Sequence, residues 1–137
     1  MQLSENFTLE ELTASTTAKA RKIDNTPSRE EIENLSVLCR RVLQPLRDKY
    51  GSSIIVTSGY RSEALNKAVG GVKTSQHRYG EAADIKCSDI KKLWNIAVEM
   101  VNKNEIIVGQ LIDEKNLSWI HISLPTKTKK NQILHLK

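Results

Sequence analysis

The chain has 137 residues, 39% of them apolar and 27% charged, with a net charge of +5. That length suits one domain able to bury roughly two thirds of its unfolded surface without disulfide staples. No run approaches the ~18 apolar residues of a membrane span. Only 4% of residues are aromatic and the basic ones are dispersed apart from Lys127, Lys129 and Lys130, which argues against a base-stacking nucleic-acid platform. A positive balance instead draws the protein toward polyanions, among them anionic bacterial wall polymers.

In chain order, Thr8 and Glu11 have the capping-box spacing that starts a short helix around Leu9 to Leu12. Thr13 to Asn25 reads as loop or a weak helical turn. Ser28 and Glu31 repeat the capping box and open the first long helix, whose Ile32, Leu35, Leu38, Val42 and Leu46 form one apolar stripe. Pro45 predicts a kink near its end, and Tyr50-Gly51 stops it. Ser53 to Ser58 is a β-branched strand, Arg61 to Val69 a short helix stopped by Gly70-Gly71, and Ala82 to Cys87 a second strand. Ser88 or Asp89 caps a helix with Ile90, Leu93, Trp94, Ala97, Val98 and Val101 on one side. Ile106 to Ile112 and Trp119 to Leu124 read as strands joined by a polar turn, and the lysine-rich tail leaves room for a short final strand, Gln132 to Leu136.

Chemistry concentrates in Ser75-Gln76-His77-Arg78-Tyr79-Gly80-Glu81-Ala82-Ala83-Asp84. Imidazole nitrogen and carboxylate oxygen are both zinc ligands, and catalytic zinc sites typically take three protein ligands. His77 and Asp84 therefore call for a third. Of the three histidines, His121 lies within a strand and His135 lies in the tail, so His121 is the better candidate. Cys39 and Cys87 belong to no closely spaced pair and are expected to be reduced and buried rather than metal-bound.

Strand alternation puts Ile120 and Ile122 in the core and His121 on the opposite face. A hairpin closed by Lys115 to Ser118 sets Glu114 opposite Trp119 and Ile112 opposite His121. Glu114 then shares the His121 face with its backbone roughly 7 Å away, and Asp113 points the other way. Hydrolysis at zinc needs a base near the attacking water, and Glu114 is the candidate. A one-residue slip would pass the role to Asp113, and Glu81 is a third possibility. Arg61 follows a strand end at Gly59, where with Tyr60 it can hold a carboxylate or a developing oxyanion.

These residues resemble the zinc D-alanyl-D-alanine carboxypeptidase family, in Ser75-x-His77-x-x-Gly80-x-Ala82-x-Asp84, Ser58-Gly59-Tyr60-Arg61-Ser62 and Trp119-Ile120-His121. The likeness extends through Phe7, Asp24-Asn25-Thr26-Pro27, Leu43-Gln44-Pro45-Leu46, Leu65-Asn66-x-x-Val69-Gly70-Gly71 and Gln110-Leu111-Ile112. It implies an α+β fold of the hedgehog/DD-peptidase type, a small antiparallel sheet with helices against it, over residues 1–137 as a single domain. It implies zinc held by His77, Asp84 and His121, a glutamate base, Arg61 at the substrate or transition state, and a supporting polar contact from Ser75, whose alternative role is to cap a turn. Tyr60 is expected to line the substrate groove, and Trp119 either to line it or to pack over the site. Several family members place the glutamate three residues before the last histidine, where this chain has Ser118; Glu114, seven before, resembles the compact branch.

The expected activity is hydrolysis of peptidoglycan stem or cross-link peptides, as a carboxypeptidase or an endolysin-type endopeptidase. The alternative is a non-catalytic, zinc-containing wall-binding module. A monomer is expected, without nucleic-acid partners or membrane insertion. The N-terminus lacks the basic start and apolar run of a secretory signal, so the expected location is the cytoplasm until release to the cell wall, as for a phage or prophage lysin.

Overall fold

The computed structural model of the protein describes residues 1–137. The chain begins with a small hairpin, β1 (Gln2–Ser4) and β2 (Phe7–Thr8), followed by α1 (Leu9–Thr13) and α2 (Thr16–Arg21). Both halves of the Thr8/Glu11 capping box form, and Ser15 caps α2 through the Ala18 N–H. The hairpin departs from the sequence reading, and α2 takes the helical alternative for Thr13 to Asn25. Strands of two or three residues are too short to show alternation, and α2 buries only Ala18.

The long first helix is built in three parts: α3 (Arg29–Leu38), a π-helical turn (Cys39–Leu43) and α4 (Gln44–Tyr50). Ser28 and Glu31 complete their box at its start, and Gly51, at φ 81°, closes it. Pro45 has no N–H to donate, and the wide turn lies just before it: Gln44 N–H reaches back to Cys39 O, five residues away. Leu35, Leu38, Cys39, Val42, Leu43 and Leu46 are fully buried along this rod.

The remaining elements are β3 (Ile55–Ser58), α5 (Glu63–Ala68), a 3-10 turn (Gln76–Tyr79), β4 (Ala82–Lys86), α6 (Ile90–Asn102), β5 (Gln110–Glu114), β6 (Trp119–Ser123) and β7 (Gln132–Leu136). The last five strands form one sheet in the order β3-β4-β6-β5-β7. All neighbours are antiparallel except β5 and β7, so the main sheet is mixed. Ala83, Ile85, Leu111, Ile120 and Ile122 face the core, where they meet Leu93, Trp94, Ala97, Met100 and Val101 of α6. The architecture is α+β, with helices packed on one face of the sheet.

The strand expected from Ile106 begins later, at Gln110, and runs on to Glu114. Ile106 and Val108 are buried in the core from a non-strand segment, where Val108 N–H is taken by the Asn131 side chain. The hairpin turn needs three successive left-handed residues, Lys115, Asn116 and Leu117, at φ 49°, 56° and 60°. Asp113 Oδ1 accepts from Leu117 N–H at 2.6 Å and Ser118 Oγ donates to Lys115 O at 2.6 Å, bonds that hold this costly conformation. Cys39 is buried, Cys87 half-buried, and both are free thiols. No helix is long and apolar enough to cross a membrane.

Candidate metal centre

A row of directly paired residues crosses the sheet: Ser58 beside Asp84, Asp84 beside His121, His121 beside Ile112. Paired residues share a face, and this row lies on the face away from α6. The strand register therefore brings Asp84 and His121 together although 37 residues separate them. His77 comes from the 3-10 turn that precedes β4. Ser75 Oγ accepts the His77 N–H at 3.3 Å, so Ser75 caps that turn. Gly80 ends it at φ 74°, pressed so close to the backbone of α3 that an added Cβ would sit 2.6 Å from Glu31 O.

His77 Nε2 is 3.3 Å from Asp84 Oδ1, and His121 Nδ1 is 3.0 Å from the same oxygen. One donor atom from each residue lies within 4.8 Å of the other two. Tetrahedral ligands at about 2.1 Å from zinc stand about 3.4 Å apart, so the donor set fits that ion. The tautomer fits as well. His77 Nδ1 is 2.7 Å from Gly59 O, a carbonyl that can only accept, so Nδ1 carries the proton and Nε2 keeps its lone pair toward Asp84. Gly59 is required there, since an added Cβ would meet Leu12 O at 2.2 Å. Burial opposes the charge on Asp84, yet with both imidazoles protonated, as in the metal-free site, their hydrogen bonds and positive charge together hold the carboxyl below its ordinary range.

Arg61 completes one end of the row. Its Nη2 lies 3.7 Å from Asp84 Oδ2, while Nε donates to Ser58 Oγ at 3.2 Å and Nη1 to Asn66 Oδ1 at 3.3 Å. Burial pulls the guanidinium below its usual value, and the charges of Asp84 and Glu114 offset this only in part. Asn66 is itself 4% exposed and donates to Val72 O at 2.9 Å. Asn25 clamps the neighbouring backbone, donating to Tyr60 O at 3.1 Å and accepting from Ser62 N–H at 2.7 Å. Neither asparagine was assigned a role from sequence. The available signal was Asn66 itself, an awkward residue for a helix interior unless its side chain has work elsewhere.

Glu114 stands opposite Trp119, and its Oε2 accepts from Trp119 Nε1 at 2.9 Å. Lys115 Nζ lies 5.4 Å from the centre of the Trp119 ring. Asp113 faces the other way, with Oδ1 on the Leu117 N–H and Oδ2 3.1 Å from His135 Nδ1. Glu81 precedes Ala82 and by alternation faces away from Asp84. Tyr60 is 5% exposed and part of the core cluster, and it also lines a cavity of about 230 Å³ together with Thr57, Ser58 and Arg61.

The sequence profile described as Peptidase M15 matches residues 5–123. The chain belongs to the Peptidase M15 family. No curated protein matches the chain. Membership places it among metallopeptidases, a family of zinc-dependent hydrolases, and all three candidate ligands, Arg61 and Glu114 fall inside the M15 match.

Proposed function

We propose that the protein is a zinc-dependent peptidase that hydrolyses peptidoglycan stem or cross-link peptides, with Glu114 as general base. The supporting observation is the placement of three functions along one sheet face: the His77, Asp84, His121 donor set at the centre, Glu114 toward β5, and Arg61 at the β3 end. Zinc in that set would act as a Lewis acid and lower the pKa of water to about 7. Glu114, oriented by the Trp119 N–H, takes the proton of the attacking water and passes it to the leaving amine. Arg61, fixed by Ser58 and Asn66, presents its guanidinium to negative charge developing on the substrate. Peptidoglycan as substrate rests on the likeness to D-alanyl-D-alanine carboxypeptidases and endolysins, and the charge of +5 favours approach to anionic wall polymers.

The test is incubation of the zinc-loaded protein with purified muropeptides, following released alanine and split cross-links. Cleavage that disappears in His77→Ala supports the reading. Intact muropeptides with fully loaded protein would leave a wall-binding module in its place.

A further inference from the structure

The family match ends at Ser123, and β7 lies beyond it. This strand runs parallel to β5, with Leu134 beside Ile112 and Leu136 beside Glu114. His135, between them, is fixed on the opposite face: its Nδ1 is 3.1 Å from Asp113 Oδ2, and its ring centroid is 5.3 Å from that of Trp94 in α6. Alternation therefore stands Leu134 and Leu136 on the face that carries Asp84, His121 and Glu114. The strand is tied down by Lys115 N–H on Leu136 O at 2.7 Å and, at its start, by the side-chain bond from Gln110 Nε2 to Gln132 Oε1 at 3.2 Å.

Adjacent strands lie about 4.8 Å apart, so Leu136 is one strand from Glu114 and Leu134 two strands from His121. Leu134 is 37% and Leu136 48% exposed, whereas Ile112, between Leu134 and His121, is 7% exposed. A single exposed leucine needs no explanation. Leu134 in register with the donor row and Leu136 in register with the Glu114–Trp119 pair, on a strand anchored from behind by His135, extend the floor of the site with an aliphatic wall.

We propose that Leu134 and Leu136 bind the leaving half of the substrate and select an uncharged, aliphatic side chain on the residue whose amine is released. This rests on the peptidase reading above and on Glu114 as its base. A base that hands its proton to the leaving amine must have that amine on its own side. The leaving residue then extends over β5 and β7, and the acyl half lies toward β4 and β3. Arg61, at that second end, faces the carbonyl oxygen rather than a carboxylate of the leaving residue. The binding energy of such a wall acts on discrimination between leaving side chains, since a charged one must be desolvated against it without a partner.

The experiment uses the zinc-loaded full chain and stem-peptide analogues that share one acyl half and carry alanine, leucine or aspartate as the leaving residue. Wild type should cleave the aspartate peptide with kcat/KM at least about tenfold below the alanine peptide. Leu136→Lys should raise aspartate relative to alanine about tenfold, and Leu134→Ser should raise KM for the leucine peptide severalfold with kcat kept. Zinc content and circular dichroism check that each variant is folded, and Leu134→Ser carries the test if Leu136→Lys is not. The same leaving-residue preference in wild type and in every folded variant overturns the wall assignment alone. No cleavage of any peptide by wild type overturns the peptidase reading and the wall with it. Sedimentation reads the competing occupant: a wild-type dimer that becomes monomeric in Leu134→Ser would assign these leucines to a second copy of the chain, and a wild-type monomer supports the wall.

Discussion

Asp84 and His121 stand directly opposite each other on β4 and β6, with Asp84 Oδ1 3.0 Å from His121 Nδ1. The pairing makes one carboxylate oxygen the meeting point of both histidines, since His77 Nε2 is 3.3 Å from the same atom. Replacing Asp84 by Asn keeps the shape but removes the anionic donor. Competition against a chromogenic chelator should show zinc affinity lowered by about 100-fold or more, and His77→Ala should do the same with the fold retained by circular dichroism.

Glu114→Gln separates holding the metal from the reaction. The amide can still face Trp119 Nε1 but cannot take a proton, so kcat should fall by about 10²–10⁴-fold with zinc stoichiometry unchanged. Asp113→Asn, on the opposite face, should leave kcat within about twofold of wild type, since a residue that touches no reacting atom should alter rate little.

Arg61 depends on a crowded neighbourhood. A Cβ added at Gly71 would lie 2.1 Å from Asn66 Oδ1 and 3.1 Å from Arg61 Nη1. Gly71→Ala should therefore push Asn66 off the guanidinium and cut kcat by about tenfold or more with zinc affinity unchanged, the loss expected when a positioned charge shifts by about an ångström. Steady-state kinetics beside zinc titration reads both quantities.

Two buried acids set the behaviour at high pH. Burial, reinforced by Glu11, pushes the Cys39 thiol up to about 12, and burial followed by the nearby Glu31 carboxylate does the same to the Tyr60 phenol. The unfolded chain releases these protons near pH 8.5 and 10, roughly, while the folded chain keeps them. The unfolded state then binds fewer protons, and stability must fall as pH rises from about 8.5 toward 12, by up to about 1.4 kcal/mol per pH unit for each group. Denaturant unfolding at pH 8, 9, 10 and 11 checks this, and Cys39→Ala should show the shallower slope between pH 9 and 10.

The hairpin register was legible because two independent constraints agree on it. The alternation Ile120, His121, Ile122 sets which residues enter the core, and the polar stretch Lys115 to Ser118 marks where the chain turns; the structure adopts that register, with Glu114 opposite Trp119, rather than the one-residue slip. The donor set followed from chemistry and spacing. The supports of Arg61 were not legible, because Ser58, Asn66 and Gly71 act through side-chain packing that no periodicity encodes. The burial of Tyr60 was not legible for a related reason: the strand-end motif puts it beside Arg61 in sequence, while successive side chains leave the backbone in different directions and send the ring into the core. The apolar run Ile106 to Val108 looked like strand because burial of Ile106 and Val108, rather than pairing, selects apolar residues there, with Ile107 left exposed between them. The parallel seat of β7 beside β5 depends on how the chain returns past β6, which local patterns do not record.

The proposed role of this sheet face is hydrolysis of a wall peptide bond. Mass spectrometry of purified peptidoglycan, after incubation with zinc-loaded wild type or Glu114→Gln at equal zinc content, tests it most directly. The expected result is fragments split at one defined peptide bond with wild type and an unaltered muropeptide profile with Glu114→Gln. An unaltered profile with both proteins, or equal cleavage by both, would contradict the account.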